Sequence, residues 1–255
     1  MRLQIMSDLH LDRSRGVPAL ADGADAVMVA GDTCEGLVKA VEALRQAFPA
    51  SVEVIMVAGN HEYYGRAFAA ELAAGRARAR QVGIHLLENG VAHIGALRVL
   101  GATLWTDYML FGPTLRTPAM RVAGDQMRDH KKIRWSSEPW RRFRPEEALS
   151  LHNESKRFFE TELAKPHSGP TMLLAHHGMT FEAVAPDLQR SLIAAAYTSD
   201  LSFVDQFGPD YVVTGHTHHP LDFRRGRTRF LSNPRGYADE GLAFDPALVL
   251  EVPDA

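Results

Sequence analysis

The sequence contains one cysteine among 255 residues, Cys34, so no disulfide can form within the chain. No apolar run approaches the roughly 20 residues that cross a bilayer. The first ten residues include an acid, Asp8, and lack the apolar stretch of a signal peptide. The formal net charge is -3, without the positive excess that favours nucleic acid. We therefore expect a cytoplasmic protein with neither a membrane nor a nucleic acid as its partner.

Short apolar runs alternate with amphipathic stretches along a chain that is 45% hydrophobic, enough for a sizeable core. Strands are predicted at residues 3–6, 25–30, 52–58, 84–87, 97–102, 171–175, 211–214, 229–232 and 247–252. Helices are predicted at residues 37–48, 66–81 and 153–165. This alternation is typical of an α/β fold, in which helices cover the sheets.

We interpret residues 1–255 as one domain with an inserted, partly helical excursion around residues 108–145. Within it, residues 129–144 combine six Lys and Arg residues with Trp135, Trp140 and Phe143. These residues favour a solvated basic face with its aromatic rings packed inward. The alternative is a wall that attracts a phosphorylated ligand.

Histidine, aspartate and asparagine follow five of the predicted strands directly. The five blocks are Asp8 with His10, Gly31 with Asp32, Gly59 to Glu62, His176 with His177, and Gly215 to His218. In open α/β sheets the functional site lies at the carboxyl ends of the strands, where such loops converge. In an extended backbone, alternate residues such as Asp8 and His10, or His216 and His218, would point the same way. Mixed carboxylate and imidazole ligands suit Mn, Fe, Co and Zn better than Ca or Mg.

Each block alone is a weak signal, but all five in this order resemble the signature of the calcineurin-like metallophosphoesterases. The matching motifs are Asp8-x-His10, Gly31-Asp32, Gly59-Asn60-His61-Glu62, His176 and Gly215-His216-x-His218. Residues 232–237 also resemble a segment of small bacterial members. The resemblance implies a four-layer α/β/β/α sandwich, with two mixed sheets flanked by helices.

The resemblance also implies a role for each motif residue. One metal ion would take Asp8, His10 and His218, and a second would take Asn60, His176 and His216. Asp32 would bridge the two ions, and His61 would act on the substrate without binding metal. The implied cofactors are two divalent transition-metal ions, with Mn, Fe and Zn all open.

The implied activity is hydrolysis of phosphate esters, monoesters or diesters, by a hydroxide that bridges the two ions. His61 would stabilise charge or protonate the leaving group. One alternative is a catalytically silent binding scaffold of the same fold, which predicts eroded ligand positions that this sequence does not have. Amidohydrolases and β-lactamase-like enzymes would place His-x-His early in the chain. A nucleophilic role for Cys34 is disfavoured, because the sequence after it does not have the C-x5-R pattern of cysteine phosphatases.

Several neighbouring residues have weaker assignments. Asp12 and Glu62 are candidates for acids that orient the ligand histidines. Core packing is favoured over a pocket position for Tyr63 and Tyr64. The remaining histidines, His85, His93, His130, His152 and His167, are expected to be structural or at the surface. Oligomeric state, natural substrate and metal identity stay open.

Overall fold

The computed structural model describes residues 1–14 and 16–253. The strands of this part are β1 (Arg2–Met6), β2 (Ala26–Ala30), β3 (Glu53–Val57), β4 (His85–Leu87), β5 (Gly90–Ile94), β6 (Leu97–Ala102), β7 (Arg134–Ser137), β8 (Trp140–Arg142), β9 (Thr171–Ala175), β10 (Tyr211–Val213), β11 (Leu221–Arg225), β12 (Thr228–Ser232) and β13 (Val249–Glu251). The α-helices are α1 (Leu37–Ala47), α2 (Phe68–Val82), α3 (Arg116–Gln126), α4 (Asp129–Lys132), α5 (Pro145–Leu163) and α6 (Ser202–Phe207).

Two sheets form the centre of the fold. The first has five strands in the order β13-β1-β2-β3-β4, in which β1 to β4 are parallel and β13 is antiparallel. The second has six strands in the order β11-β12-β10-β9-β6-β5. Its four central strands are parallel, and its two edge strands are antiparallel to their neighbours. Both sheets are therefore mixed.

The central strands are buried on both faces. In β2, Met28 packs into a cluster shared by the two sheets, whereas Val27 and Val29 pack on the opposite face. In β9, Met172 faces the shared cluster and Leu173 faces outward. Burial on both sides explains the continuous apolar runs that predict these strands from the sequence.

Helices cover the outer face of each sheet. Leu44 of α1 and Phe68 of α2 belong to the cluster on the outer face of the first sheet. Phe159 of α5 and Phe203 of α6 belong to the cluster on the outer face of the second. The order of layers is thus helices, sheet, sheet, helices, and the predicted α/β four-layer sandwich is confirmed.

Residues 108–145 contain the helices α3 and α4 and pack on the outer core of the first sheet. Helices α3 and α4 are followed by the hairpin β7–β8, which the sequence pattern did not predict. Phe143 is buried and Trp135 is partly buried against the core. Trp140 is 60% exposed, so the expectation that the aromatic rings all pack inward is wrong for this residue.

Helix α5 begins at Pro145 rather than at residue 153. Proline occupies its first turn, and the Glu147 carboxylate accepts a hydrogen bond from the backbone N–H of Arg144 at 3.0 Å. Such a start suits a helix because the first N–H groups lack partners within it. Among the described residues, no helix has the length and apolarity that a membrane span requires.

Candidate metal centre

Five loops meet at one edge of the sandwich. Three follow β1, β2 and β3 of the first sheet, and two follow β9 and β10 of the second. Backbone hydrogen bonds join them: the Asp8 N–H donates to the Gly31 carbonyl at 3.0 Å, and the Gly215 N–H donates to the His176 carbonyl at 2.9 Å. The site therefore lies where the two sheets meet, at the carboxyl ends of parallel strands.

The backbone at the site is left-handed at five non-glycine positions. The φ angles are 51° at Asp8, 43° at His10, 52° at Asp32, 65° at His216 and 49° at His218. The prediction that Asp8 and His10, and His216 and His218, project from an extended backbone is therefore wrong. Their side chains converge through left-handed bends, each of which costs about 1–3 kcal/mol and persists only when its surroundings hold it.

Two glycines allow the loops to approach this closely. Gly31 has a φ of 83°, and a Cβ there would lie 2.5 Å from His176 Nδ1. A Cβ at Gly215 would lie 2.7 Å from an Asp8 carboxylate oxygen. Both distances are shorter than any tolerable contact, so a side chain at either position would push the loops apart.

The first predicted ligand group is brought together. His10 Nε2 lies 3.1 Å from His218 Nε2, and His218 Nε2 lies 3.5 Å from Asp8 Oδ1. Asp8 and His10 are fully buried, and the His218 side chain is 16% exposed.

The second predicted group is equally compact. His176 Nε2 lies 2.9 Å from Asn60 Oδ1 and 3.1 Å from His216 Nδ1. The other ring nitrogen of His176 donates to the Ala30 carbonyl at 2.8 Å, which leaves Nε2 with a lone pair directed at the site.

Asp32 lies between the two groups. Its Oδ1 is 3.4 Å from His176 Nε2 of the second group, and its Oδ2 is 3.9 Å from His10 Nε2 of the first. Its carboxylate therefore faces both groups at once, with one oxygen towards each.

The spacing of these atoms fits metal coordination. Ligands bound at about 2.0–2.2 Å place neighbouring donor atoms about 3.0–3.5 Å apart around one ion. Among the described residues, three groups of His and Asp residues have donor atoms within 4.8 Å of one another: Asp8, His10 and His218; His10, Asp32 and His61; and Asp32, His176 and His216. Donor atoms of neutral imidazoles and carboxylates that converge in this way suit transition-metal ions.

Electrostatics also favour cations at this site. Burial raises the pKa of Asp32, and the nearby charges of Glu62 and Asp8 raise it further. Burial lowers the pKa of His10 to about 4, and it also lowers the pKa of His176 and His216. These three imidazoles are thus neutral near pH 7, as metal ligands must be, and the buried carboxylates repel one another unless a cation lies between them.

His218 differs from the other ligand candidates. Burial acts to lower its pKa, but hydrogen bonds and charge from Asp8 and Glu240 outweigh burial and raise the pKa to about 9. The Glu240 carboxylate lies 2.7 Å from His218 Nδ1, so it fixes the ring with Nε2 towards the site. Sequence reasoning missed Glu240 because it lies 22 residues away from His218 and outside every motif.

His61 lies beside the candidate ligands. Its Nε2 is 3.8 Å from Asp32 Oδ2 and 3.3 Å from the Tyr237 hydroxyl, and its ring packs on Tyr64 at 4.3 Å between centroids. Burial, with the neighbouring histidines, lowers the pKa of His61 to about 2. His61 is therefore neutral and presents an imidazole N–H rather than an imidazolium to the pocket.

The buried Glu62 holds two loops together. Its carboxylate accepts hydrogen bonds from the backbone N–H groups of Asp32 at 3.1 Å, Thr33 at 2.6 Å and Gly59 at 2.7 Å. Asp12 accepts one from the backbone N–H of Glu35. Neither acid contacts a ligand histidine through a hydrogen bond, so the predicted role of both in orienting the histidines is wrong.

Asp129 reaches the site from the excursion. Its buried carboxylate accepts hydrogen bonds from Asn60 Nδ2 and from the Tyr64 hydroxyl, both at 2.7 Å. With its NH2 group held in this way, Asn60 turns its Oδ1 towards His176. A lone acid in an irregular segment has no spacing signal, and sequence reasoning missed it.

The other predicted positions divide between core and surface. Tyr63 and Tyr64 are both buried in the core, as favoured, and Tyr64 also lines the pocket. His177 is buried, with Nδ1 donating to the Thr103 carbonyl at 3.1 Å. His130 and His152 are buried, and the Nδ1 atom of each lies 3.3 Å from a backbone carbonyl, that of Phe143 and that of Trp105 respectively.

A pocket of about 530 Å³ opens above the ligand groups. Its lining comprises Arg13, Asp32, Asn60, His61, Tyr64, Gln126, Met127, Arg128, Leu188, Tyr197, His216, Thr217, His218, Tyr237 and Glu240. The candidate ligands form its floor, and residues of the excursion form part of its wall.

Comparison with known proteins agrees with this geometry. The family model for calcineurin-like phosphoesterases matches residues 1–220, which include all the candidate ligands. No curated protein matches the sequence.

Solved structures of similar fold exist. A phosphopantetheinyl hydrolase from Mycobacterium tuberculosis aligns with a TM-score of 0.69 and 19% identity, over 93% of this chain and 90% of that one. A Staphylococcus aureus protein assigned as a 5′-nucleotidase aligns with a TM-score of 0.49 and 11% identity, over 92% of this chain and 48% of that one. At these identities the first likeness concerns the fold alone, and the second adds nothing to it.

Proposed function

This chain belongs to the calcineurin-like phosphoesterase family, and on that premise we propose that it hydrolyses phosphate esters with two metal ions in one site. The observation that carries the proposal is the position of Asp32, with one carboxylate oxygen towards His10 and the other towards His176. A carboxylate between two ligand groups is the arrangement that two neighbouring ions need.

In this proposal, Asp8, His10 and His218 hold one ion, and Asn60, His176 and His216 hold the other, with Asp32 shared. The donor set of imidazoles, carboxylates and one amide supports Mn, Fe or Zn rather than Ca or Mg. When bound, two such ions supply a hydroxide nucleophile near neutral pH and neutralise charge on the phosphoryl group.

The chain's own groups orient the reaction. His61 donates a hydrogen bond from its neutral ring to a phosphoryl or leaving-group oxygen, which its low pKa supports in place of proton donation. The Tyr237 hydroxyl, 3.3 Å from His61 Nε2, holds the ring in position. Glu62 keeps the loops of Asp32 and Asn60 together by accepting their backbone N–H groups.

We also propose one domain over residues 1–255 and a cytoplasmic location. Pairing of β1 with β13, which places Arg2 opposite Glu251, supports the single domain. Arg15, Asp254 and Ala255 lie outside the described residues. The single cysteine supports a reducing compartment.

The test uses metal-stripped protein reconstituted with Mn, Fe, Zn, Co or Mg. Hydrolysis of p-nitrophenyl phosphate and of bis-p-nitrophenyl phosphate is measured together with bound metal per chain. We expect Asp32→Ala to lose both metal and turnover. His61→Ala should keep its metal and lose about 10²- to 10⁴-fold in kcat. Asp125→Ala, an exposed acid of α3, is the matched control and should behave as the wild type.

The outcomes separate the two parts of the proposal. Two bound ions per chain without turnover of either ester would contradict the hydrolase and favour a binding scaffold. Turnover that survives Asp32→Ala with unchanged metal content would contradict the ligand assignment.

A further inference from the structure

The pocket extends well beyond the candidate ligands. Its volume of about 530 Å³ is within the range of about 300–1,000 Å³ that encloses whole small molecules. Phosphoryl chemistry at the floor would use only part of it. The remaining wall therefore faces the group that the phosphate esterifies, and its chemistry decides which leaving groups fit.

Two arginines line this outer wall. Arg13 follows β1, and its guanidinium lies 4.9 Å from the centre of the Tyr237 ring. Arg128 precedes Asp129 in the excursion, on a separate segment of the chain. Tyr237 neighbours His61. Burial raises the pKa of Tyr237, and the positive charges of Arg13 and Arg128 act to lower it. Because both arginines line the same pocket, one small molecule bound at its floor can reach both guanidinium groups.

These two positive charges are poorly neutralised. The Arg13 Nε lies 3.8 Å from an Asp12 carboxylate oxygen, which is longer than a hydrogen bond. In the described part of the chain, no acceptor lies within hydrogen-bond distance of the Arg128 side chain. By contrast, Arg229 forms a two-pronged pair with Asp222, with both distances at 2.8 Å.

The two acids that line the pocket, Asp32 and Glu240, already have other partners within the protein. Asp32 belongs to the candidate metal centre. Glu240 accepts hydrogen bonds from His218 Nδ1 and from the Tyr237 backbone N–H, both at 2.7 Å. The outer wall therefore presents net positive charge, and planar guanidinium groups match the oxygens of carboxylates and phosphates.

We infer that Arg13 and Arg128 form a subsite for a second anionic group, a carboxylate or phosphate, on the leaving group of the substrate. The inference rests on the proposed function and adds a substrate class to it: phosphate esters that carry two separated anions. Met127, Leu188 and Tyr197 line the same pocket and offer apolar contacts to the carbon skeleton that joins the two anions.

The test compares matched esters that differ in one charge. Phenyl phosphates that carry a carboxylate at the meta or para position are assayed against the same esters with a neutral carboxamide. The ratio of their kcat/KM values cancels differences in metal loading between protein samples. The variants are Arg13→Gln, Arg128→Gln and the double variant. The control is Arg121→Gln, which removes an exposed charge from α3.

We expect the wild type to prefer the carboxylate esters. Each pocket variant should lower the carboxylate-to-carboxamide ratio by about tenfold, and the double variant should lower it further. Arg121→Gln should keep the wild-type ratio. The ratio in the wild type should also fall with added salt, because exposed charges are screened.

The failures are distinguishable. If no ester is hydrolysed with any metal, the proposed function fails and the subsite inference falls with it. If the esters are hydrolysed and the ratio is unchanged in the pocket variants for both ring positions, the subsite is refuted and the hydrolase stands. An equal fall in Arg121→Gln would show general attraction by the protein and would also refute the subsite.

Discussion

Replacing Asp129 by alanine should weaken metal binding although Asp129 is not itself a candidate ligand. Its carboxylate accepts hydrogen bonds from Asn60 Nδ2 and the Tyr64 hydroxyl, both at 2.7 Å. Without them, the Asn60 amide loses its charged acceptor and keeps the weaker contact of Nδ2 with the Tyr64 hydroxyl at 3.1 Å, so its NH2 group can turn towards His176 more easily. Loss of a partner that orients a ligand costs about 10- to 100-fold in metal affinity. At about 1.36 kcal/mol per decade this corresponds to about 1.4–2.7 kcal/mol.

The metal-free protein should also lose stability, for a reason that is independent of metal binding. The alanine removes the acceptor of two buried hydrogen bonds, each worth about 1–3 kcal/mol, although Asn60 Nδ2 keeps the Tyr64 hydroxyl at 3.1 Å as an acceptor. It also removes a buried negative charge that raises the pKa of Asp32, and this relief offsets part of the cost. Urea unfolding of the metal-free protein separates this effect from binding.

Two further variants separate positioning from charge. Asp129→Asn is neutral but still offers an oxygen to the Asn60 amide. Tyr64→Phe keeps the carboxylate and its bond to Asn60 while removing the phenol. If positioning dominates, both variants should bind metal more tightly than Asp129→Ala. If charge dominates, Asp129→Asn should match Asp129→Ala.

The assay is a titration of metal-stripped protein with Zn²⁺ or Mn²⁺ against a competing chelator, with Asp125→Ala as the control. Only the ion that involves Asn60 should weaken, so one of two binding steps should shift. Identical affinities for Asp129→Ala and Asp125→Ala at both steps would refute the reasoning.

Three other expectations follow from the buried groups. Burial raises the pKa of Cys34 to about 12, so native protein should resist thiol reagents at pH 8 while urea-unfolded protein reacts with one equivalent; rapid native labelling would contradict this. Burial lowers the pKa of His152 below 6.5, so the folded state binds fewer protons than the unfolded state and stability falls as pH drops below 6.5. His152→Gln should lessen that fall between pH 7.5 and pH 5.5 in urea unfolding, and an unchanged pH dependence would count against it. Leu44→Ala should cost about 2–5 kcal/mol of unfolding free energy, whereas Glu42→Ala at the surface should cost at most about 1 kcal/mol; equal midpoints would be inconsistent with the packing described.

The central strands were predictable because burial on both faces requires a continuous run of apolar residues, which stands out in the sequence. The sequence gives β6 and β9 with the bounds that the structure has, at residues 97–102 and 171–175. Edge strands were harder: β5 was missed, and β11 alternates Leu221 and Phe223 with charged residues, a signal that was present but short. The start of α5 was predicted too late, although Pro145 and the glutamates after it are a helix-start signal.

The candidate site was also predictable only in part. The residues that the motifs named as ligands were brought together, because strand ends fix where the chain delivers them. The left-handed backbone at Asp8 and His218 was not predictable, since it depends on contacts between loops from two sheets. Asp129 and Glu240 were beyond reach because a lone side chain far along the chain carries no spacing signal. Tyr237 belongs to the segment 232–237, whose resemblance to other members assigned it no role.

Residues 126–129 form the joint between α3 and α4. Two consecutive residues of this joint, Arg128 and Asp129, carry opposite charges and lie in different parts of the site. Arg128 lies at the mouth of the pocket, and Asp129 lies beneath Asn60. Adding one residue before this pair would set the cation of Arg128 against the amide, and deleting one would set the anion of Asp129 at the entrance. We therefore expect gaps in alignments of related chains to gather at the exposed tip of the hairpin, near residue 138, and to avoid residues 126–129. A change in chain length at the tip leaves the site intact, whereas a change in chain length at the joint would disturb both catalysis and selectivity.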